Sequence, residues 1–165
     1  MKKRFFLLLI LFVLFYGFCF SQPVITQIGK YPCGKQPKQV LFSPDSKFIA
    51  LPLLNDNGFD LFSMEEKKVV KRISPPGSEK LGFAEGLFIK EKNIFLVSQM
   101  TTGTLYEYSC PAFELKRTIK TGGEWSKFIA YNSDKDILAV SNWISNTVSI
   151  IDYKTGKILK ILKTS

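Results

Sequence analysis

The chain has 165 residues, 45% of them hydrophobic, with 23 Lys and Arg against 14 Asp and Glu for a formal charge of +9, and it contains no histidine. Lacking imidazole, it is excluded from His-based triads, His general bases and most zinc sites. Its three cysteines are too few for a thiolate metal cage.

Lys2, Lys3 and Arg4 precede an apolar run from Phe5 to Tyr16, the pattern of a secretory leader. Cys19 and Ser21 are small side chains three and one positions before a cut after Ser21, so residues 1–21 are read as a signal peptide and Gln22 as the first residue of the processed chain. The run from Phe5 to Phe20 is shorter than the ~20 residues that cross a bilayer comfortably, which disfavours an uncleaved anchor and leaves no membrane span after cleavage. Phe18 stands where lipid attachment at Cys19 would want a small residue. Removal of the leader lowers the formal charge to +6.

Residues 22–30 carry Val24, Ile25 and Ile28, enough for one leading strand. A unit over 31–73 follows: an inner strand at Val40, Leu41 and Phe42, a turn at Ser43-Pro44-Asp45-Ser46-Lys47, a strand from Phe48, and Asn55-Asp56-Asn57-Gly58 as a hairpin of residues that tolerate positive φ. A second unit, 74–119, begins at Ser74-Pro75-Pro76-Gly77, a cluster no strand can cross. Its strands are expected near Gly86–Ile89, Asn93–Ser98, Gly103–Tyr108 and Phe113–Ile119. The third unit, 120–165, repeats the plan at Lys127–Tyr131, Asp136–Ser141, Thr147–Asp152 and Lys157–Leu162.

Aligned, the second strands read Phe48-Ile49-Ala50-Leu51, Ile94-Phe95-Leu96-Val97-Ser98 and Ile137-Leu138-Ala139-Val140-Ser141. The repeat of about 43–46 residues lies near the ~40–45 of a four-stranded propeller blade. Nearly continuous apolar runs imply strands covered on both faces, as stacked blades provide. The expectation is an all-β fold, an incomplete β-propeller of about three four-stranded antiparallel blades after an N-terminal signal peptide. Closed propellers have 4–8 blades, so three leave two open apolar faces. The favoured account is the N-terminal part of a larger propeller or interrupted reading frame; the alternative is a ring completed by another copy or another protein.

Leu138-Ala139-Val140-Ser141-Asn142, then Asn146-Thr147-Val148-Ser149-Ile150-Ile151-Asp152 and Thr155-Gly156-Lys157, together with Ser43-Pro44-Asp45-Ser46-Lys47, resemble the YVTN-type β-propeller repeat family. Unit two departs most, with Glu91-Lys92-Asn93 at the turn and Glu107 near the Asp position. The resemblance implies an exported or surface-associated binding or scaffold protein.

The chemistry in the residues is sparse. Asp134 with Asp136 and Glu65 with Glu66 read as solvated turns rather than paired catalytic carboxylates, and Asp56, Asn57 and Asp60 lack the spacing of an EF-hand loop. No catalytic residue, metal ligand or cofactor is assigned. Lys67, Lys68, Lys71 and Arg72 are interrupted by Val69 and Val70 and preceded by Glu65 and Glu66, the pattern of a protected strand edge, so specific nucleic-acid binding is not expected. Cys33 and Cys110 fall at opposite ends of their sheets and are expected to stay unpaired, since a bridge needs Cα atoms within ~7 Å.

Trp125, Trp143, Asn142 and Gln99 form the candidate recognition surface; the competing reading packs both indoles between blades. The function expected is a non-enzymatic envelope module that binds a protein or other macromolecule, or further propeller blades. An enzyme with its catalytic residues in missing blades and a truncated product with no independent function are the alternatives.

Overall fold

The structure, a computed structural model, describes residues 23–76 and 82–164. The expected leader lies outside the described residues. Pro23–Lys30 carries no strand, and Val24, Ile25 and Ile28 are exposed. Over the described part of the expected leading strand, Pro23–Lys30, the backbone is irregular.

From Tyr31 onward the described residues form twelve strands in three antiparallel sheets, each with its strands in sequence order. Blade 1 holds β1 (Leu41–Phe42), β2 (Phe48–Pro52), β3 (Phe59–Ser63) and β4 (Lys68–Ile73). Blade 2 holds β5 (Phe83–Ile89), β6 (Ile94–Gln99), β7 (Thr104–Ser109) and β8 (Leu115–Lys120). Blade 3 holds β9 (Ser126–Asn132), β10 (Ile137–Asn142), β11 (Thr147–Asp152) and β12 (Ile158–Lys163).

Equivalence of the blades extends to individual hydrogen bonds. The register between third and fourth strands shifts at Leu61/Phe62, Glu107/Tyr108 and Ile150/Ile151, the same place each time. The residue one past each third strand donates its N–H to the turn before the second: Met64 to Lys47 O at 2.9 Å, Cys110 to Asn93 O at 2.8 Å and Tyr153 to Asp136 O at 2.9 Å. A residue of positive φ, Gln36, Gly82 or Trp125, precedes each first strand. Its carbonyl accepts the N–H that follows the second strand or lies just beyond, from Leu54, Met100 and Trp143 respectively.

First strands of consecutive blades approach one another, β1 with β5 and β5 with β9, whereas β4, β8 and β12 are largely exposed at the outside. Two apolar layers lie between the sheets. Ala50, Phe59 and Leu61 of blade 1 meet Phe95, Val97 and Tyr108 of blade 2. On the opposite face of blade 2, Ile94, Leu96 and Leu105 meet Ile129, Leu138, Val140 and Ile151 of blade 3. Blade 2 is therefore covered on both sides, and β6 is buried at every residue. β10 alternates instead, because one of its faces has no sheet upon it.

A polar clasp locks blades 2 and 3 toward their outer side. Glu107, buried on β7, takes a 2.8 Å ion pair from Arg117, whose other guanidinium nitrogens donate to Tyr153 O at 2.6 Å and Lys154 O at 2.9 Å while its plane lies 4.9 Å from the Tyr153 ring. Lys92 adds a 3.0 Å ion pair to Asp136 and sits 4.8 Å from the same ring. Burial pushes the Tyr153 phenol up to about 12.

Candidate functional site

Trp125 and Trp143 come together at one end of blade 3. Trp143 N–H donates to Trp125 O at 3.0 Å, which ties the turn before β9 to the turn after β10. The indoles stand 6.1 Å apart at 63°, an edge-to-face pair. They are 40% and 60% exposed, so the rings do not pack between the blades of this chain. Lys127 Nζ lies 4.1 Å over the Trp143 ring, within range of a cation–π contact.

Beside Trp143 is a cleft of about 320 Å³ on the uncovered face of blade 3, lined among others by Lys127, Phe128, Ser141, Asn146 and Val148. Phe128 and Val148 escaped the sequence reading. The signal was available in period two: Phe128 and Val148 alternate along β9 and β11 with the buried Ile129 and Ser149, so they point to the other face.

Asn142 and Gln99 do not belong to the exposed surface, which corrects their assignment to it: both are buried. Each ends the second strand of its blade, opposite Thr147 and Thr104 respectively, and each ties together its own hairpin. Asn142 Oδ1 accepts from Ser126 Oγ at 2.7 Å, and its Nδ2 donates to Ser149 Oγ at 2.8 Å and Thr147 Oγ1 at 3.1 Å. Gln99 Oε1 accepts from Thr102 Oγ1 at 2.8 Å and Tyr106 Oη at 3.0 Å. A buried amide must have its hydrogen bonds met, and a strand end supplies them locally. Ser126 continues to Thr121 Oγ1 at 2.6 Å, and Thr121 N–H reaches Gly103 O of blade 2 at 3.0 Å. Trp143 thus follows directly on a polar chain that crosses between blades.

Toward the inner strands, Glu85 of β5 is buried, and that burial raises its pKa, partly opposed by the charges of Lys127 and Lys38. Cys33 and Cys110 are both free; burial pushes the Cys110 thiol up to about 11. Among the described residues no group of three or more Cys, Asp and Glu is placed to hold a metal ion, and no helix is long and apolar enough to cross a membrane.

Four-stranded antiparallel sheets stacked face to face, with first strands converging and fourth strands outside, define the β-propeller class of fold. Similarity to known proteins agrees. The chain is similar in structure to Kuenenia stuttgartiensis hydrazine synthase, with a TM-score of 0.70 and 15% identity, covering 82% of this chain and 39% of that one. It is likewise similar to the RRP9 WD40 repeats, with a TM-score of 0.66 and 12% identity, covering 81% of this chain and 40% of that one. At such identities the likeness concerns fold alone. In sequence the chain is 38% identical over 139 residues, 83% of its length, to Antigen Lp49 of Leptospira interrogans serogroup Icterohaemorrhagiae serovar copenhageni (strain Fiocruz L1-130), and it spans 30% of that relative. No protein-family model matches the chain.

Proposed function

We propose that the processed chain is an exported, non-enzymatic binding module of the cell envelope, built on YVTN-type propeller repeats, that recognises a protein or other macromolecule around Trp125 and Trp143. The observation that carries the reading is the exposed edge-to-face indole pair beside an uncovered sheet face. Aromatic side chains offer large contact area at small entropic cost and dominate many recognition surfaces. Here the hydrogen bond from Trp143 N–H to Trp125 O holds their backbone in place before any partner arrives. The likeness to a protein named as an antigen supports a role outside the cytoplasm.

The chain contains only two tryptophans, and both lie in this site. Indole fluorescence therefore reports it without a label. Titration with solubilised envelope proteins is expected to shift or quench the emission, and Trp125→Ala with Trp143→Ala to abolish retention of the bound partner while leaving the far-ultraviolet dichroism unchanged. Retention unaffected by the double substitution overturns the recognition surface. Export is tested separately by the amino terminus of the secreted chain, expected at Gln22.

A further inference from the structure

We propose that the cavity between blades 1 and 2 is a binding site for a single phenol ring. It shares no lining residue with the cleft beside Trp143, and it stands whether or not the indole pair recognises a partner.

The cavity has a volume of about 120 Å³. Ile94 and Phe113, 3% and 5% exposed, form its floor, Phe48 and Cys110 its walls, and Pro44 and Asp45 its exposed rim. Apolar cavities of this order, roughly 150 Å³ between aliphatic and aromatic side chains, stay dry and take up benzene.

The joint between blades 2 and 3 shows what fits such a place. Cys110 and Tyr153 are counterparts: each follows a third strand and donates its N–H to the residue before the second, at Asn93 O and Asp136 O respectively. Tyr153 is 7% exposed, with its ring 5.5 Å from that of Tyr131 and 4.8 Å from Lys92 Nζ. The counterpart of Lys92, two residues before β2, is Ser46. Between blades 1 and 2 a thiol thus replaces a phenol ring and a short hydroxyl side chain replaces a lysine, and the cavity lies beside that thiol. Sulfur is a favourable neighbour for an aromatic ring.

Phe113 keeps the blades from closing over this space. It is the counterpart of Gly156: each donates its N–H to the last residue of a third strand, Ser109 O or Asp152 O, and each has positive φ, 53° and 71°. That backbone suits glycine and is costly for a bulky side chain, which holds it only where the surroundings over-determine it, often at a ligand clamp. Here the ring centroid is fixed 6.1 to 6.4 Å from those of Phe95, Phe59, Phe88 and Phe48. The floor is therefore set before a ligand arrives.

The rim selects for a hydroxyl. Asp45 Oδ1 accepts from Ser43 Oγ at 2.6 Å and from Lys47 N–H at 3.1 Å, which hold its carboxyl below the usual carboxylate range and leave Oδ2 without a partner among the described residues. The Lys47 ammonium already acts on this carboxylate, so a neutral O–H donor is favoured over a second cation. A charge-assisted bond from a ring hydroxyl meets that need, and the ring itself meets the cavity.

Fluorine magnetic resonance of 4-fluorophenol added to the processed chain tests the proposal, with fluorobenzene as the same ring lacking the hydroxyl. A saturable shift is expected for both, with 4-fluorophenol bound about tenfold more tightly, and Asp45→Ala is expected to equalise the two. Cys110→Tyr and Cys110→Leu, each checked for folding by far-ultraviolet dichroism, fill the cavity to different extents and are expected to abolish binding of both probes. Trp125→Ala with Trp143→Ala is expected to leave binding unchanged. No saturable response at millimolar probe, equal affinity for the two probes, binding that survives a folded Cys110→Tyr chain, or binding lost with the indoles each overturns the proposal. Competition by N-acetyltyrosinamide upholds the site with a tyrosine side chain of a polypeptide as its occupant, and its exclusion while 4-fluorophenol binds upholds it with a free phenol.

Discussion

Asp60 and Arg72 face each other across β3 and β4, and the guanidinium grips the fully buried carboxylate through Nε and, at 3.1 Å, through Nη2. Gly34 N–H supplies a further bond to the same carboxylate at 2.7 Å, and Arg72 also reaches Asp56 at 3.3 Å. Breaking such a pair from one side strands a buried charge. Arg72→Met is expected to cost about 2–3 kcal/mol, discounted for the exposure of the arginine. Asp60→Asn with Arg72→Met is expected to recover part of that loss, so chemical denaturation of the two single variants and the double variant measures the coupling directly.

Tyr108 is the reverse case. Its ring packs 5.2 Å from Phe59 between blades 1 and 2, but its hydroxyl is buried with no hydrogen-bond partner among the described residues, and burial raises its pKa. An unmet buried hydroxyl costs about 1–3 kcal/mol. Tyr108→Phe keeps the ring and removes the orphan, so the midpoint of denaturation is expected to rise by the equivalent of about 1 kcal/mol.

Glu85 gives a pH dependence of definite sign. Its folded-state pKa is raised by burial, so the charged form is penalised only in the folded protein. The penalty is absent at pH below the ordinary carboxylate range and complete once pH exceeds the raised folded value. Glu85→Gln is therefore expected to be more stable than the parent chain near neutral pH and indistinguishable from it in acid. Thermal denaturation at both pH values is the measurement; a benefit that grows toward acid reverses the sign and refutes the assignment.

Thiol chemistry separates the two cysteines of the processed chain. Cys33 is exposed, whereas the Cys110 thiol, pushed up to about 11, holds roughly a thousandth of its population as thiolate at pH 8. Native alkylation is expected to add one label quickly, at Cys33, and the second only on denaturation.

The strands were legible because their apolar runs are bounded by turn residues: Thr147–Asp152 falls where the alternation and its flanking Asn146 and Tyr153-Lys154-Thr155-Gly156 place it. The indole pair was legible only as two residues on neighbouring connections, since their approach depends on a backbone bond between turns 18 residues apart in sequence. Asn142 and Gln99 were misread because an amide beside an exposed Trp looks solvated; only the pairing opposite Thr147 and Thr104 turns them inward. Nor did composition distinguish β6 from β10, both continuous apolar runs, although one is covered twice and the other once.

That difference in cover sets an order of unravelling. Stacked repeats contact only their neighbours, so their stability divides into what each sheet owns and what each contact adds. Blade 2 shares two contacts and the flanking blades one apiece. Amide protons of β6 and β7 are accordingly the last to exchange with solvent, those of β12 among the first, and closure of the stack into a ring would remove the fraying ends and level the gradient.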